Sequence, residues 1–291
     1  FIKIIIKNLN YFFQFFFIYF LFLIFKILGL KLSSNLGGKI ISFIGPFFRS
    51  KSRINSNLKI AFPDIKDKEM DKIINDMWNN YGKLFAEYIF MKNFRMSEKN
   101  KLVEIEGEEV IKKIKNSGKP VIFVSGHFSN FELMAMHIEK SGVKLATIYR
   151  PLNNYFINPF MEKIRKKYIC KHQIKKGISG LKETLSLFKQ GYSVALMIDQ
   201  RVSEGIRCKF FEKDALTTSI PAQFIKRFNC DVVPVYIERL SGIRFKMTIF
   251  EPLRFEEKSN EKFITEELNL YLENLIKRRP GHWIWTHGRW K

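Results

Sequence analysis

Cysteine is scarce in this chain. Its 291 residues hold three, Cys170, Cys208 and Cys230, an odd number at wide spacings. They form no C-x-x-C pair and no ligand pattern with histidine, so the sequence offers no cysteine-based metal site. A reducing compartment for the main part of the chain is the simplest expectation. Acidic residues are also few, 28 Asp and Glu against 50 Lys and Arg, which leaves a net charge of +22. A field of that sign favours anionic partners: nucleic acid, an anionic membrane face, phosphorylated lipids or an acidic carrier protein. The bland alternative is a Lys-, Ile-, Asn- and Phe-rich composition in which many lysines are simply solvated.

Charge is nearly missing from one stretch. "LNYFFQFFFIYFLFLIFKILGL", residues 9–30, carries Lys26 alone, with eight phenylalanines between Tyr11 and Phe25. At ~1.5 Å per residue it reaches ~33 Å, enough to cross a hydrocarbon core of ~30 Å. It is longer than a signal-peptide core and lacks an A-x-A cleavage pattern. Lys3 and Lys7 precede it, whereas Lys31, Lys39, Arg49, Lys51 and Arg53 follow, a bias that predicts a cytoplasmic location for the rest of the chain. "LGGKIISFIGPFFR", residues 36–49, is amphipathic and aromatic and reads as a segment on the membrane surface. The expected organisation is an anchor at 1–31, a surface segment at 32–54 and one domain at 55–291. The chain begins at Phe1 rather than methionine, the expectation being a missing or trimmed true N-terminus.

No repeat or low-complexity linker interrupts residues 55–291. Helical periodicity covers 67–92, 106–116, 130–140, 155–168, 178–190, 218–229 and 259–278. Short apolar runs at 120–125, 144–149, 193–198, 232–238 and 243–250 read as strands. The alternation predicts an α/β fold, a sheet flanked by helices, with its site at the C-terminal ends of strands.

"SGHFSNFE", residues 125–132, stands at such a place. Gly126 allows a tight exit from the strand, His127 follows, and Ser129 or Asn130 is positioned to cap the next helix. Glu132 then falls in that helix's first turn, from which its carboxylate can fold back to the imidazole, fix its tautomer and stabilise the imidazolium. No Ser or Cys elsewhere is an evident nucleophile, so the arrangement suits a histidine base acting on a substrate hydroxyl. The competing explanation is a capping box, Ser129-x-x-Glu132, with no chemistry at all.

Around this motif the sequence resembles the bacterial lipid A biosynthesis acyltransferases, the late lauroyl/myristoyl transferases of the lysophospholipid acyltransferase superfamily. "GHFSNFEL" is similar to that family's H-x4-[DE] block, and "IYRP" (148–151), with Arg165 beyond it, to the second block. "IDQ" (198–200) resembles a strand-end Asp-Gln. "KFFEKDALTTSIPA" (209–222) resembles a Phe-Phe-Gly…Ala-x-Thr block, and "RRPGHWIWTHGRWK" (278–291) a Trp- and Arg-rich C-terminus. The blocks fall in family order across nearly the whole chain. Glu212 stands where glycine is usual, and Gly288 where a basic residue is common.

The resemblance implies a glycerolipid acyltransferase-like α/β domain with an N-terminal transmembrane helix in the bacterial inner membrane, its catalytic part on the cytoplasmic side. It implies transfer of a fatty acyl chain from acyl carrier protein to a hydroxyl of a phosphorylated glycolipid, a lipid A precursor, without metal or cofactor. His127 and Glu132 are then the catalytic pair. Arg150 and Arg165 are candidates for phosphate or oxyanion contacts. Asp199 and Gln200 either orient substrate or cap a turn. Phe210 and Phe211 either line an acyl tunnel or belong to the core, and Thr217 or Thr218 either contacts substrate or caps a helix. Trp283, Trp285 and Trp290 suit an interfacial belt or headgroup contact. His137 reads as core, while His172, His282 and His287 show no partner. Two alternatives stay open: acylation of another membrane lipid, and a membrane-tethered nucleic-acid-binding protein. The latter leaves the strand-end His-x4-Glu unexplained and has no recognisable motif behind it.

Overall fold

A computed structural model describes residues 2–99 and 101–291, the side chains of Ile2 and Lys3 excepted. The first helix, α1 (Ile2–Phe48), does not stop where the anchor was expected to end. It kinks at Gly29, whose φ of 76° and ψ of 168° are open to glycine and strained for any side chain. Among the described residues it is the one helix long and apolar enough to cross a membrane, over Ile4–Phe48. Before the kink, one stripe faces protein, with Phe22 and Phe25 buried. The rest of the surface is bare: Phe13, Phe17, Phe20 and Ile27 are 67, 60, 61 and 86% exposed. A soluble surface rarely keeps so continuous an apolar patch.

After the kink the helix packs against α3 (Asp67–Glu87). The approach is backbone to backbone, since a Cβ added at Gly82 would lie 2.0 Å from the carbonyl oxygen of Gly37. Gly45 meets the Trp78 ring in the same way. Residues 30–48 thus lean on the domain. Next come α2 (Lys51–Ala61), α4 (Met91–Met96) and α5 (Glu108–Ser117), the last preceded by a strand, β1 (Val103–Glu106), where helix was expected at 106.

The sheet has seven strands in the order β1-β9-β8-β2-β5-β3-β4. These are β2 (Ile122–Ser125), β3 (Leu145–Tyr149), β4 (His172–Lys175), β5 (Ser193–Met197), β8 (Val232–Ser241) and β9 (Arg244–Ile249) with β1. Only β8 and β9 run antiparallel; the other neighbours are parallel. All of β2 is buried, as an apolar run covered by helices on both sides should be. The helices α6 (Glu132–Lys140), α7 (Asn158–Ile164), α8 (Ile178–Lys189), α9 (Ile220–Phe228) and α10 (Glu261–Arg278) complete the layers. The fold class is the mixed α/β sheet flanked by helices that the alternation predicts. The short β4 and a separate hairpin, β6 (Ile206–Phe210) and β7 (Lys213–Thr217), were not anticipated. Their sequences, "HQIK", "IRCKF" and "KDALT", carry too many polar residues to register as apolar runs.

That hairpin turns through two residues, Phe211 and Glu212, with φ of 48° and 57°. Both lie in the left-handed region that two-residue hairpins demand and that glycine adopts freely. This is a physical reason for the glycine that the resemblance leads one to expect at the second position, and Glu212 carries the strain here. Glu212→Gly is therefore expected to stabilise the protein by up to ~1 kcal/mol, relief of left-handed strain outweighing the added chain entropy. Thermal unfolding of the two proteins in the same detergent checks this; a lower melting temperature for the variant would show the turn to be unstrained.

Candidate active site

Sheet register builds the site. In the parallel pair β2–β5, Ser125 stands opposite Met197. Two residues beyond each come His127 and Asp199, at the C-terminal edge of adjacent strands. Gly126 permits the turn, since a Cβ there would meet the Phe128 ring at 2.9 Å and Asp199 Cβ at 3.3 Å. The His127 backbone N–H donates to Asp199 Oδ2 at 2.9 Å, and Nδ1 of its ring lies 2.8 Å from Oδ1. Trp283 Nε1 donates to Oδ2 at 2.8 Å. Asp199 is 1% exposed, so these donors take the place of water around an ionised carboxylate.

The consequences for protonation follow. Burial pushes Asp199 up, but His127 and the other donors hold it well below the usual carboxylate range. Burial pushes His127 down; the Asp199 carboxylate more than offsets this, with a smaller push from Glu132 and an opposing one from Arg165, and the imidazole ends above its ordinary value. An ionised Asp199 fixes the proton on Nδ1, which leaves Nε2 as the acceptor facing the cavity.

Glu132 is not the ring's hydrogen-bond partner. It opens α6, and Arg165 Nε and Nη2 both donate to its Oε1, at 2.9 and 2.6 Å. The expectation that its carboxylate folds back onto the imidazole is corrected by this geometry, because Asp199 already occupies Nδ1. The capping box does not form either. Ser129 has a φ of 45°, its hydroxyl accepts from the Arg239 N–H at 3.2 Å, and no side chain caps α6. Asn130 instead donates to Glu87 Oε2 at 2.9 Å, and Ser125 donates to the Val235 carbonyl at 2.6 Å. The loop is pinned at several points rather than capped.

Arg165 is brought into place by a wider, π-type turn, Arg165–Ile169, that ends α7. Its guanidinium lies 5.9 Å from the Tyr88 ring centroid and 5.5 Å from that of Tyr149. His127, Glu132, Arg150, Arg165, Gln200 and Thr218 all line one cavity of about 380 Å³, with apolar walls that include Met134, Ile138, Ala195 and Met197. Arg150 is exposed at its rim. Its mixture of an apolar wall and a few convergent polar groups is that of a ligand site.

Other expected site residues lie elsewhere. Phe210 and Phe211 are buried in the core between the hairpin and residues 283–290, Phe210 with its ring 5.6 Å from Trp290. They do not line the cavity. Thr217 accepts from Arg289 Nη2 at 2.7 Å, and its neighbour Thr218 reaches the cavity instead. Trp283 and Trp285 are buried and form no surface belt. His137, on the buried face of α6, is kept neutral, its pKa lowered to about 4 by burial and then by Lys140 and Arg95. His287 was left without a role, yet it lines the cavity. From sequence Trp283 suits an interfacial belt or a headgroup contact; nothing in "GHWIWTH" signals that its indole donates to a carboxylate 84 positions earlier.

Comparison with known proteins identifies what the chain is similar to. The family described as bacterial lipid A biosynthesis acyltransferase matches residues 3–291. A lipid A biosynthesis palmitoleoyltransferase of Escherichia coli K12 is 24% identical over 263 residues, covering 88% of this chain and 84% of that protein. A lipid A biosynthesis myristoyltransferase of the same organism is 21% identical over 244 residues, covering 81 and 73%. A lipid A biosynthesis acyltransferase of Haemophilus influenzae is 23% identical over 238 residues, covering 81 and 75%. Among solved structures, a 1-acyl-sn-glycerophosphate acyltransferase from Thermotoga maritima aligns with a TM-score of 0.40 and 17% identity, over 87% of this chain and 98% of that one.

The two carboxylates are separable by titration. Activity that needs neutral His127 rises with pH through the raised imidazole pKa. Asp199→Asn removes the main upward push, so its acid limb moves to lower pH. An amide also cannot accept from both Trp283 and the His127 N–H while accepting from Nδ1, so the proton shifts to Nε2 and turnover falls by ~10²–10⁴-fold. Glu132→Gln moves the limb less, because its field at the ring is the weaker. Rate–pH profiles of the three proteins check this; a larger shift for Glu132→Gln would reverse the assignment.

Proposed function

Because this chain belongs to the bacterial lipid A biosynthesis acyltransferase family, we propose that it moves a fatty acyl group from acyl carrier protein to a hydroxyl of a lipid A precursor, with His127 as general base. The observation that carries the base assignment is the Asp199–His127 contact at 2.8 Å, which favours the ring proton on Nδ1 and so leaves Nε2 to act as base at the cavity that His127 lines. In this reaction Nε2 takes the proton of the acceptor hydroxyl as its oxygen attacks the thioester carbonyl. The tetrahedral intermediate carries its negative charge on the former carbonyl oxygen. Arg165, at the cavity wall, is placed to stabilise it with guanidinium donors. Collapse expels the carrier's thiolate, and the imidazolium returns its proton to that sulfur. The ester, the free thiol and a neutral imidazole remain.

Glu132 enters this scheme through its field and through its grip on Arg165. Its charge supports the imidazolium, and its double contact holds the guanidinium near two tyrosine rings. The His127–Glu132 pair is thus a functional dyad without a direct hydrogen bond. The acyl donor is the one the family resemblance implies, and an excess of cations suits an acidic carrier and would speed its encounter. The protein is membrane-associated through α1. We place it in the inner membrane with the α/β domain facing the cytoplasm, on the distribution of lysine and arginine around the apolar run.

The test uses purified full-length protein in detergent, with acyl-loaded carrier protein or the same acyl chain on coenzyme A as donor, and a lipid A precursor or a glycerophospholipid as acceptor. The expected product is an acylated lipid A precursor, formed faster from the carrier. His127→Ala is expected to reduce the rate by ~10²–10⁴-fold without loss of fold. A loss under ~10-fold in a folded variant would remove His127 from the base role, and preference for the glycerophospholipid would replace the acceptor.

A further inference from the structure

The segment between β3 and α7, Pro151–Ile157, is neither strand nor helix. It lies against the apolar half of α1. Phe156 packs edge-on at 5.6 Å from Phe12 and tilted at 6.3 Å from Phe15, and Tyr155 sits 6.0 Å from Tyr11. Phe160, two residues into α7, is 5.8 Å from Phe22. Ile157 is buried in a cluster with Phe22, Phe25 and Phe90, separate from the main core. Whatever depth residues 11–22 of α1 reach in a bilayer, this segment reaches with them.

Its composition and bonding suit that depth. Leu152 and Tyr155 are 39 and 49% exposed, beside the bare face of α1. Pro151 and Pro159 have no N–H to satisfy. Asn158 Oδ1 accepts the Leu152 N–H at 2.8 Å; Asn154 Oδ1 accepts those of Phe156 and Ile157, and its carbonyl that of Asn158. Asn154 Nδ2 in turn donates to the Tyr11 carbonyl at 2.8 Å. Irregular backbone survives in hydrocarbon only when its polar groups are paired within the protein. Arg150, before the segment, and Lys163, Lys166 and Lys167, after it, are exposed and cationic, as befits an anionic headgroup layer. Arg150 also lies on the cavity rim.

We propose that residues 151–160 form a second membrane-inserted element, a wedge held beside α1 that sets the cavity mouth at the bilayer surface, so that the lipid acceptor reaches the site from within the leaflet. The partner is the lipid phase itself. The entry route rests on the acceptor being a membrane lipid; the insertion does not.

The experiment labels single cysteines with an environment-sensitive fluorophore in full-length protein carrying Cys230→Ser, the remaining cysteines being buried. The sites are Tyr155→Cys, Phe13→Cys on the bare face of α1, and Lys258→Cys. The last lies between β9 and α10, in a loop tied to the start of β8 at the opposite end of the sheet. In vesicles of phosphatidylethanolamine and phosphatidylglycerol, lipids spin-labelled on the acyl chain are expected to quench positions 155 and 13 but not 258. Quenching of 155 by aqueous iodide, with no response to the labelled lipids, would overturn the insertion. A second arm compares Leu152→Glu/Tyr155→Glu with the parent. Two carboxylates at the wedge are expected to lower activity on vesicle-borne acceptor at least ~10-fold relative to acceptor in micelles. An unchanged vesicle-to-micelle ratio overturns the entry route. A raised KM for acyl carrier protein in both settings makes the segment a protein dock and overturns the proposal. Quenching needs no turnover, so failure of the proposed reaction leaves the first arm decisive.

Discussion

The structure turns on a carboxylate with no exposed surface, Glu87 at the end of α3. Arg239 of β8 reaches it with Nη1 at 2.6 Å and Nη2 at 3.1 Å, Ser34 of α1 donates to it at 2.6 Å, and Asn130 of the His127 loop at 2.9 Å. A buried ion pair returns its desolvation cost only when its remaining lone pairs are filled, and removing one partner costs about 3–5 kcal/mol. Here the filling comes from the second half of α1 and from the loop that carries His127. The second half of α1 is therefore built into the domain, and the position of His127 is tied to the position of that helix.

Division of labour between carboxylates is the second theme. Asp199, Glu132 and Glu87 all lie within reach of the same loop, yet each has its own cation: an imidazole, Arg165 and Arg239. Separate pairing keeps like charges from sharing a proton. It also leaves each arginine held by its own carboxylate, whatever the charge on the imidazole.

The alternation of apolar runs with helical stretches made the α/β sheet legible, because buried parallel strands leave unbroken runs of Val, Ile and Phe. Strands dominated by polar residues, such as β4 and the β6–β7 hairpin, leave no such trace. His127 stood out by its place after β2, and Arg165 by its block. The partner of the ring did not. Glu132 is five residues away along the chain and drew the assignment, whereas Asp199 is 72 residues away and arrives only through the β2–β5 register. Sequence proximity favoured the wrong hydrogen bond, although "IDQ" at a strand end was itself visible. Glu87 within "LFAEYIF" carried a signal in principle, a lone charge in an apolar run, whereas Arg239 within "YIERLS" follows Glu238 and does not stand out. Pairing them required knowing that α3 crosses β8.

The indole of Trp283 supplies one of Asp199's donors, and its place in the chain gives the site an order of assembly. A ribosome delivers α1 to the membrane first, then every strand of the sheet, and only afterwards Trp283. Until that residue docks, Asp199 lacks a donor and Trp285 has not yet filled the core beside Phe62. The surroundings of Asp199 are therefore complete only once the C-terminal segment has docked, after every strand of the sheet has already been made.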